Sequence, residues 1–199
     1  MTGERQGMWG TAGDLPVQDR PTAGRLPNGP GSADSGNHRS LVAIHDHLRA
    51  ELRQIQQAVR DVASGELNAA AARSLINRLS LRQHRWTLGS FCAQYCRVVT
   101  MHHTIEDTHM FPALAAAAPQ VEPVLRRLGE EHEVIAELLD RFDRALVLLV
   151  DNGSRGEPSA AGPAEIGRLA AELSDLLLSH LSYEEDELAE ALGLLSGSI

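Results

Sequence analysis

The sequence predicts an all-α protein, an antiparallel up-down-up-down four-helix bundle with one short extra helix and a disordered N-terminal tail. Aromatic residues make up only 4% of the 199 residues, while Ala and Leu are abundant. Ala and Leu favour helix, whereas aromatic residues favour strands. From residue 39 onward, apolar residues recur at intervals of three and four, which places them on one face of an α-helix. We therefore expect a tail over residues 1–38 and a bundle over residues 39–199.

The predicted tail contains eight Gly and four Pro and has no hydrophobic period. A segment of this composition buries too little apolar surface to offset the entropy lost on ordering. We therefore expect residues 1–38 to be disordered.

Four long segments carry the helical pattern. Their apolar faces run over residues 41–62, 88–109, 121–149 and 169–187, and a shorter amphipathic helix is expected at about residues 68–80. Pro112 is predicted to end the second long helix, because proline disfavours helical geometry in the residue before it. The third helix is expected to end at Asp151-Asn152-Gly153. Pro163 suits the first position of the fourth helix.

Charge and composition exclude several classes of protein. The formal net charge of -9 argues against non-specific nucleic-acid binding. The sequence has no apolar run of about 18 residues to span a membrane, and its N-terminus lacks the pattern of a secretory signal. Cys92 and Cys96 are too few for a disulfide framework, and they are interpreted as core thiols or, alternatively, as a redox pair. We expect a soluble cytoplasmic protein with neither a nucleic-acid nor a membrane partner.

Each long helix has one histidine within its apolar face. Burying an imidazole without a partner costs on the order of 1–3 kcal/mol, so four such positions call for a common explanation. Two of these histidines are followed four residues later by Glu, which places both side chains on the same helix face. Imidazole and carboxylate together suit iron or manganese. The predicted ligands of a two-ion site bridged by the glutamates are His45, His102, Glu106, His132, His180 and Glu184; a polar bundle without metal is the alternative.

Four more residues near this pattern are weaker candidates for metal ligands. Glu185 competes with Glu184. His109 lies one turn beyond Glu106, and this Glu-x-x-His spacing also matches ferritin-like carboxylate sites. His103 and Asp107 repeat the four-residue offset one position around the helix and are interpreted as a supporting or surface pair. In contrast, His47 is expected to face solvent.

Taken in order, these motifs resemble the hemerythrin-like (HHE cation-binding) domains. The resemblance rests on a lone His in the first helix, His-His-Thr-Ile-Glu-Asp running into Met-Phe-Pro, Glu-Glu-His in the third helix and His-Leu-Ser-Tyr-Glu-Glu in the fourth. It covers about residues 40–195 and implies a non-haem di-iron site. Oxygen-carrying hemerythrins have a second His four residues along the third helix, where this chain has Ala136. The resemblance therefore favours a sensing or redox role over reversible O2 carriage.

The expected function is that of a non-haem di-iron protein that binds, senses or reacts with O2, NO or peroxide. Its cofactors would be two iron ions, with manganese or zinc less favoured, and its partner a small diatomic ligand or peroxide. Two alternatives stay open: a di-metal oxidase, peroxidase or catalase-like enzyme, and an iron-handling or structural interaction module. No protein partner is identified from the sequence. Deleting residues 1–38 is expected to leave helicity and metal content intact.

Overall fold

The computed structural model describes residues 19–24, 26, 35–64, 88–155 and 162–195, and the regular structure in these ranges is entirely helical. The elements are α1 (Gly36–Ala63), α2 (Leu88–Ile105), a π-helical turn (Glu106–Met110), α3 (Phe111–Ala117), a 3₁₀ turn (Pro119–Val121), α4 (Glu122–Arg155) and α5 (Pro163–Leu192). The short helix expected at about residues 68–80 lies outside the described residues.

The four long helices form the predicted all-α bundle. Helix α1 packs against α5, α5 against α4, α4 against α2, and α2 against α1. The amide of Asn37, at the start of α1, donates to the carbonyls of Leu192 and Leu195 at the end of α5, so these two helices are antiparallel. The Tyr95 hydroxyl donates to the Leu48 carbonyl and joins α2 to α1. None of the helices in the described ranges is long and apolar enough to cross a membrane.

Helices α1 and α5 both begin at residues that favour a helix start. The Ser35 side chain accepts a hydrogen bond from the His38 N–H, so α1 begins at Gly36, three residues before the predicted start at Arg39. Pro163 occupies the first turn of α5, as the sequence predicted.

The predicted end of the second helix at Pro112 is wrong. The helix continues through the π-helical turn into α3, with the Phe111 N–H bonded to the Glu106 carbonyl. Pro112 lies in the first turn of α3, directly after the π-helical turn. The predicted end of the third helix is wrong as well, because α4 continues through Asn152 and Gly153 to Arg155. A glycine inside a helix costs only about 1 kcal/mol and does not by itself end it.

The apolar core has two parts, one on each side of a polar layer. On α1, Leu41 belongs to one part and Leu48 to the other, and His45 lies between them. On α5, Leu177 and Leu188 belong to different parts in the same way. The bundle therefore encloses a layer of buried histidines and glutamates between two apolar layers.

Residues 19–24 and 26 lie against the bundle, in contrast to the disorder predicted for this segment. The N–H groups of Ala23 and Leu26 donate to the carboxylates of Glu187 and Glu190 on α5, at 2.6 and 2.9 Å. The Leu26 side chain is 6% exposed and joins the apolar layer that contains Leu41. These contacts compensate the ordering entropy that composition alone suggested could not be offset. The rest of the predicted tail through residue 34 lies outside the described residues.

Candidate metal centre

The four histidines predicted from the apolar faces are buried, and their Nε2 atoms meet in pairs. His45 Nε2 lies 3.0 Å from His102 Nε2, and His132 Nε2 lies 3.2 Å from His180 Nε2. His45 and His180 have no solvent exposure, and His102 and His132 are at most 9% exposed. Both pairs join helices that are far apart in sequence, so the fold itself brings them together.

Potential ligand atoms form two clusters in the described part of the chain, each with atoms within 4.8 Å of one another. The first, which we name the His2Glu2 cluster, consists of His45, His102, Glu106 and Glu184. The second, the three-His cluster, consists of His103, His132 and His180. The six predicted ligands are therefore all in the two clusters, together with His103.

The two glutamates lie between the clusters. Glu106 Oε1 is 3.0 Å from His102 Nε2, and Glu106 Oε2 is 3.6 Å from His132 Nε2. Glu184 Oε2 is 3.5 Å from His45 Nε2 and 3.8 Å from His180 Nε2. The geometry of these approaches is not that of hydrogen bonds, and all four carboxylate oxygens are buried without a hydrogen-bond partner. Buried carboxylate oxygens without donors favour a cation between them.

Three of the imidazoles contact a carboxylate through Nδ1, the ring nitrogen that faces away from the cluster. The Nδ1 atoms of His45, His132 and His180 lie 2.8, 2.9 and 3.1 Å from carboxylate oxygens. The carboxylates belong to Glu185, Asp107 and Glu131, respectively. An ionised carboxylate only accepts, so each Nδ1–H donates and each Nε2 carries a free lone pair. This arrangement orients metal-ligating histidines in proteins.

These contacts settle where the structure places Glu185 and Asp107. Neither belongs to a cluster, and each instead orients a histidine of a neighbouring helix. Glu184 is the fourth-helix carboxylate that enters the His2Glu2 cluster. Glu131 is a residue of the site for which the sequence pattern predicted no role, although it stands beside His132 in the Glu-Glu-His motif.

His103 is buried, in contrast to the interpretation as a supporting or surface residue. It is 5% exposed, and its ring stacks on that of His132 with a centroid distance of 4.0 Å. Its Nε2 atom is buried without a hydrogen-bond partner. Adjacent helical residues differ by about 100° in direction, so His102 and His103 reach different clusters. The sequence did not show that α4 would cover the His103 side of α2.

Burial sets the protonation of the site. It lowers the pKa of His45 and of His102 to about 3, and that of His180 to about 4 despite the hydrogen bond to Glu131. These imidazoles are therefore neutral at pH 7, which is the form that binds metal. Burial, followed by repulsion from neighbouring carboxylates, raises the pKa of both Glu106 and Glu184. A cation would supply the charge that the two glutamates need to ionise.

The sequence profile of the hemerythrin HHE cation binding domain matches residues 36–192 of the chain. The chain belongs to this family. The match spans all four helices that carry the clusters, and the described His and Glu residues fit the cation site that the family's description names. No protein of curated function and no solved structure gives a match.

His109 is exposed and belongs to neither ligand cluster of this HHE domain, so the structure does not support its prediction as an extra ligand. The π-helical turn explains the difference. The wider π-helical turn rotates the chain less per residue than an α-helix does, so His109 points further from the Glu106 face and Met110 is buried on it. His47 is exposed, as predicted, and lies 3.3 Å from Glu51.

Cys96 is half-buried, and its Sγ atom contacts the Leu139 carbonyl at 3.9 Å. Burial raises the pKa of this thiol to about 12, so it is protonated at neutral pH and behaves as a packing residue. The side chain of Cys92 lies outside the described residues.

A cleft of about 170 Å³ leads to the three-His cluster from the surface between α2 and α4. His103 and His132 line it, and they are buried, while Thr100, Thr104 and Glu133 also line it and are exposed. Ala136 contributes only a methyl group to the wall. The cleft is large enough for a molecule of a few atoms, since a water molecule occupies about 30 Å³ of liquid.

Proposed function

We propose that this HHE domain binds two iron ions, one at each cluster, and that the iron pair binds, senses or reacts with O2, NO or peroxide. His45 and His102 hold one ion, and His103, His132 and His180 hold the other. Glu106 and Glu184 lie between the clusters and supply carboxylate oxygens to both. Iron bound in this way supplies redox chemistry and positions open to a small ligand.

One observation carries the two-ion proposal. When both rings are neutral and donate from Nδ1 to their carboxylates, the Nε2 lone pairs of His132 and His180 face each other across 3.2 Å. Two buried lone pairs in this position repel, and each is left without a donor. A cation accepts both lone pairs at once and removes this cost. The carboxylate support behind each ring is the arrangement expected for metal ligands.

Iron is proposed over other metals from the ligand types. Neutral imidazole and carboxylate, without thiolate among the clustered residues, suit iron, manganese and zinc. The choice of iron rests on the membership of the family and on the number of histidines.

The cleft favours a small ligand over an organic substrate. It is about 170 Å³, is lined by His103 and His132, and opens between exposed threonines. Organic ligands of drug size occupy pockets of about 300–1,000 Å³. A purely structural role for the metal gives no reason for such an opening. We therefore place binding of a diatomic molecule or peroxide ahead of the structural role.

The test is metal analysis of the full chain after expression in iron-replete medium, followed by titration with azide and NO. We expect about two iron ions per chain, one for each cluster, and a change in the visible spectrum with either ligand. One zinc ion per chain with no iron contradicts the proposal. Two iron ions that respond to neither ligand leave only the structural role. Rapid turnover of hydrogen peroxide favours the enzyme alternative over sensing.

A further inference from the structure

Arg20 lies outside the four helices, yet its side chain is only 9% exposed. All three guanidinium nitrogens donate hydrogen bonds. Its Nε and Nη2 atoms donate to the two carboxylate oxygens of Glu131, both at 2.8 Å. Its Nη1 atom donates to the Ser179 hydroxyl at 2.9 Å and to the Ser179 carbonyl at 3.2 Å. The guanidinium lies over the Tyr183 ring at 4.6 Å. A planar bidentate contact of this kind fixes both partners in direction as well as distance.

The segment around Arg20 is anchored along α5. The Tyr183 hydroxyl donates to the Pro21 carbonyl at 2.6 Å, and Ala23 and Leu26 bond to the acidic side chains of Glu187 and Glu190. The segment and the helix advance in the same direction, so each contact holds the next in register. Arg20 is therefore placed by a series of contacts and not by its own salt bridge alone.

Glu131 transmits this placement to the metal centre. It has no solvent exposure, and its Oε1 atom accepts from both Arg20 and Arg127 at 2.8 Å. Its Oε2 atom accepts from Arg20 and from Nδ1 of His180, the latter at 3.1 Å. Because His180 Nε2 belongs to the three-His cluster, Glu131 is the direct link between Arg20 and that cluster.

The His2Glu2 cluster has no such dependence on the N-terminal segment in the described residues. Nδ1 of His45 bonds to Glu185, which is in turn held by Arg49 at 2.7 Å, and all three residues lie on α1 and α5. The two clusters therefore draw their support from different parts of the chain.

We propose that Arg20 is a positioning residue for metal binding, holding Glu131 against His180 so that the three-His ion depends on a segment outside the four helices. This inference rests on the proposed function, since it assigns a support to one of the two ions. Loss of contacts behind a ligating histidine lowers metal affinity by about 10- to 100-fold. We expect that loss at one ion only.

The test uses the full chain with Arg20→Met, which keeps the apolar stem and removes the guanidinium. Iron affinities come from competition with a chelator, and Mössbauer spectra count the two iron environments. We expect wild type to bind two ions, and Arg20→Met to keep one and bind the other about 10- to 100-fold more weakly. Arg168→Met is the matched control, because Arg168 is an exposed arginine of α5 that pairs with Glu165. It should leave both affinities unchanged.

A double-mutant cycle with Glu131→Gln separates positioning from general stabilisation. If Arg20 acts through Glu131, Arg20→Met should change affinity little in the Glu131→Gln background. An equal effect in both backgrounds would mean that Arg20 acts only through its contacts with Ser179 and Tyr183, and it would overturn the proposal. If Arg20→Met fails to fold by circular dichroism, Arg20→Lys keeps the cation but not the bidentate contact, and it should give a smaller loss at the same ion.

The failures of the two proposals differ. A wild-type protein that binds fewer than two iron ions contradicts the proposed function and the positioning role together. A wild-type protein that binds two ions, with an Arg20→Met variant that keeps both affinities or loses both equally, contradicts the positioning role alone.

Discussion

The two clusters at the centre of the bundle differ in charge, support and access. The His2Glu2 cluster has two buried carboxylates and is supported by Glu185 and Arg49. The three-His cluster has only imidazoles and is supported by Asp107 and Glu131. The cleft is lined by His103 and His132 of the three-His cluster and by no residue of the other.

This difference indicates a division of roles between the two proposed ions. Glu106 and Glu184 approach histidines of both clusters, so the two proposed ions share these carboxylates and differ mainly in access. The cleft is lined by residues of the three-His cluster, so we propose that a small ligand binds on that side. No residue of the His2Glu2 cluster lines the cleft, so the ion proposed there is expected to contribute mainly to stability.

The largest effects are expected from removing a ligand of either cluster. His102→Ala should weaken the His2Glu2 ion and His180→Ala the three-His ion, each by more than about 100-fold, since even loss of a supporting contact costs 10- to 100-fold. Chelator competition and iron analysis measure both. His47→Ala is the control, because His47 is exposed and bonded only locally to Glu51. Equal loss of both ions in each variant would show that the clusters bind metal as one unit.

Removing iron should lower stability in a way that depends on pH. In the metal-free protein, the pKa values of Glu106 and Glu184 are raised above the ordinary 4.5, so their contribution to stability is lost as pH rises above that value. The pKa values of His45, His102 and His180 are lowered from 6.5 to about 3–4, so their contribution is complete above pH 6.5 and is lost below it. The lowered pKa of His103 acts in the same direction. Between pH 4.5 and 6.5 the gain from four imidazoles exceeds the loss from two carboxylates, so the stability of the metal-free protein rises with pH. Above pH 6.5 only the loss continues, so this stability should be greatest near pH 6.5.

Iron requires ionised carboxylates and neutral imidazoles, so it should oppose the alkaline loss of stability. Two sites with free iron 100-fold above Kd contribute about 5 kcal/mol together, so we expect the Tm of the iron-loaded protein to exceed that of the metal-free protein by about 10–20 °C at pH 6.5. The same free iron concentration is then used at the other pH values. The difference should grow from pH 6.5 to 8 and shrink toward pH 5. Calorimetry of both forms at these three pH values measures it. A difference that decreases from pH 6.5 to 8 would mean that Glu106 and Glu184 do not ionise on metal binding.

Periodicity predicted the helices and six of the seven clustered residues, because both depend on which face of a helix is apolar. It failed where a helix is irregular and where contacts between distant segments determine which side chains are buried. The π-helical turn moves His109 further from the Glu106 face than a spacing of 3.6 residues predicts, and Met110 is buried on that face. The burial of His103 depends on where α4 lies. The docking of Arg20 depends on a carboxylate 111 residues away, and the composition around it indicated only disorder.

The next largest effect is expected from the N-terminal segment and reverses the sequence-based expectation that residues 1–38 are dispensable. Deleting residues 1–26 removes Arg20 and should weaken the three-His ion by about 10- to 100-fold while sparing the other. Deleting residues 1–18 is the matched control, because it keeps every described contact of the segment. Iron titration and Mössbauer spectra compare the two truncations. If both truncations keep two tightly bound ions, residues 19–26 do not contribute to metal binding at His180.

The smallest effect is expected from closing the cleft, and it tests access without touching a ligand. Ala136 lines the cleft and is exposed on α4, so Ala136→Leu places a branched side chain there with little cost to the helix. We expect azide to associate about 10-fold more slowly, at the lower end of the one to three decades over which association rates vary among variants of one site. Iron content and Tm should not change. Ala164→Leu, an exposed position at the start of α5, is the matched control and should leave the rate unaltered. Stopped-flow absorbance measures both variants. An unchanged rate in Ala136→Leu would mean that ligands reach the iron pair by another path. The proposal that ligands enter on the side of the three-His cluster would then be wrong.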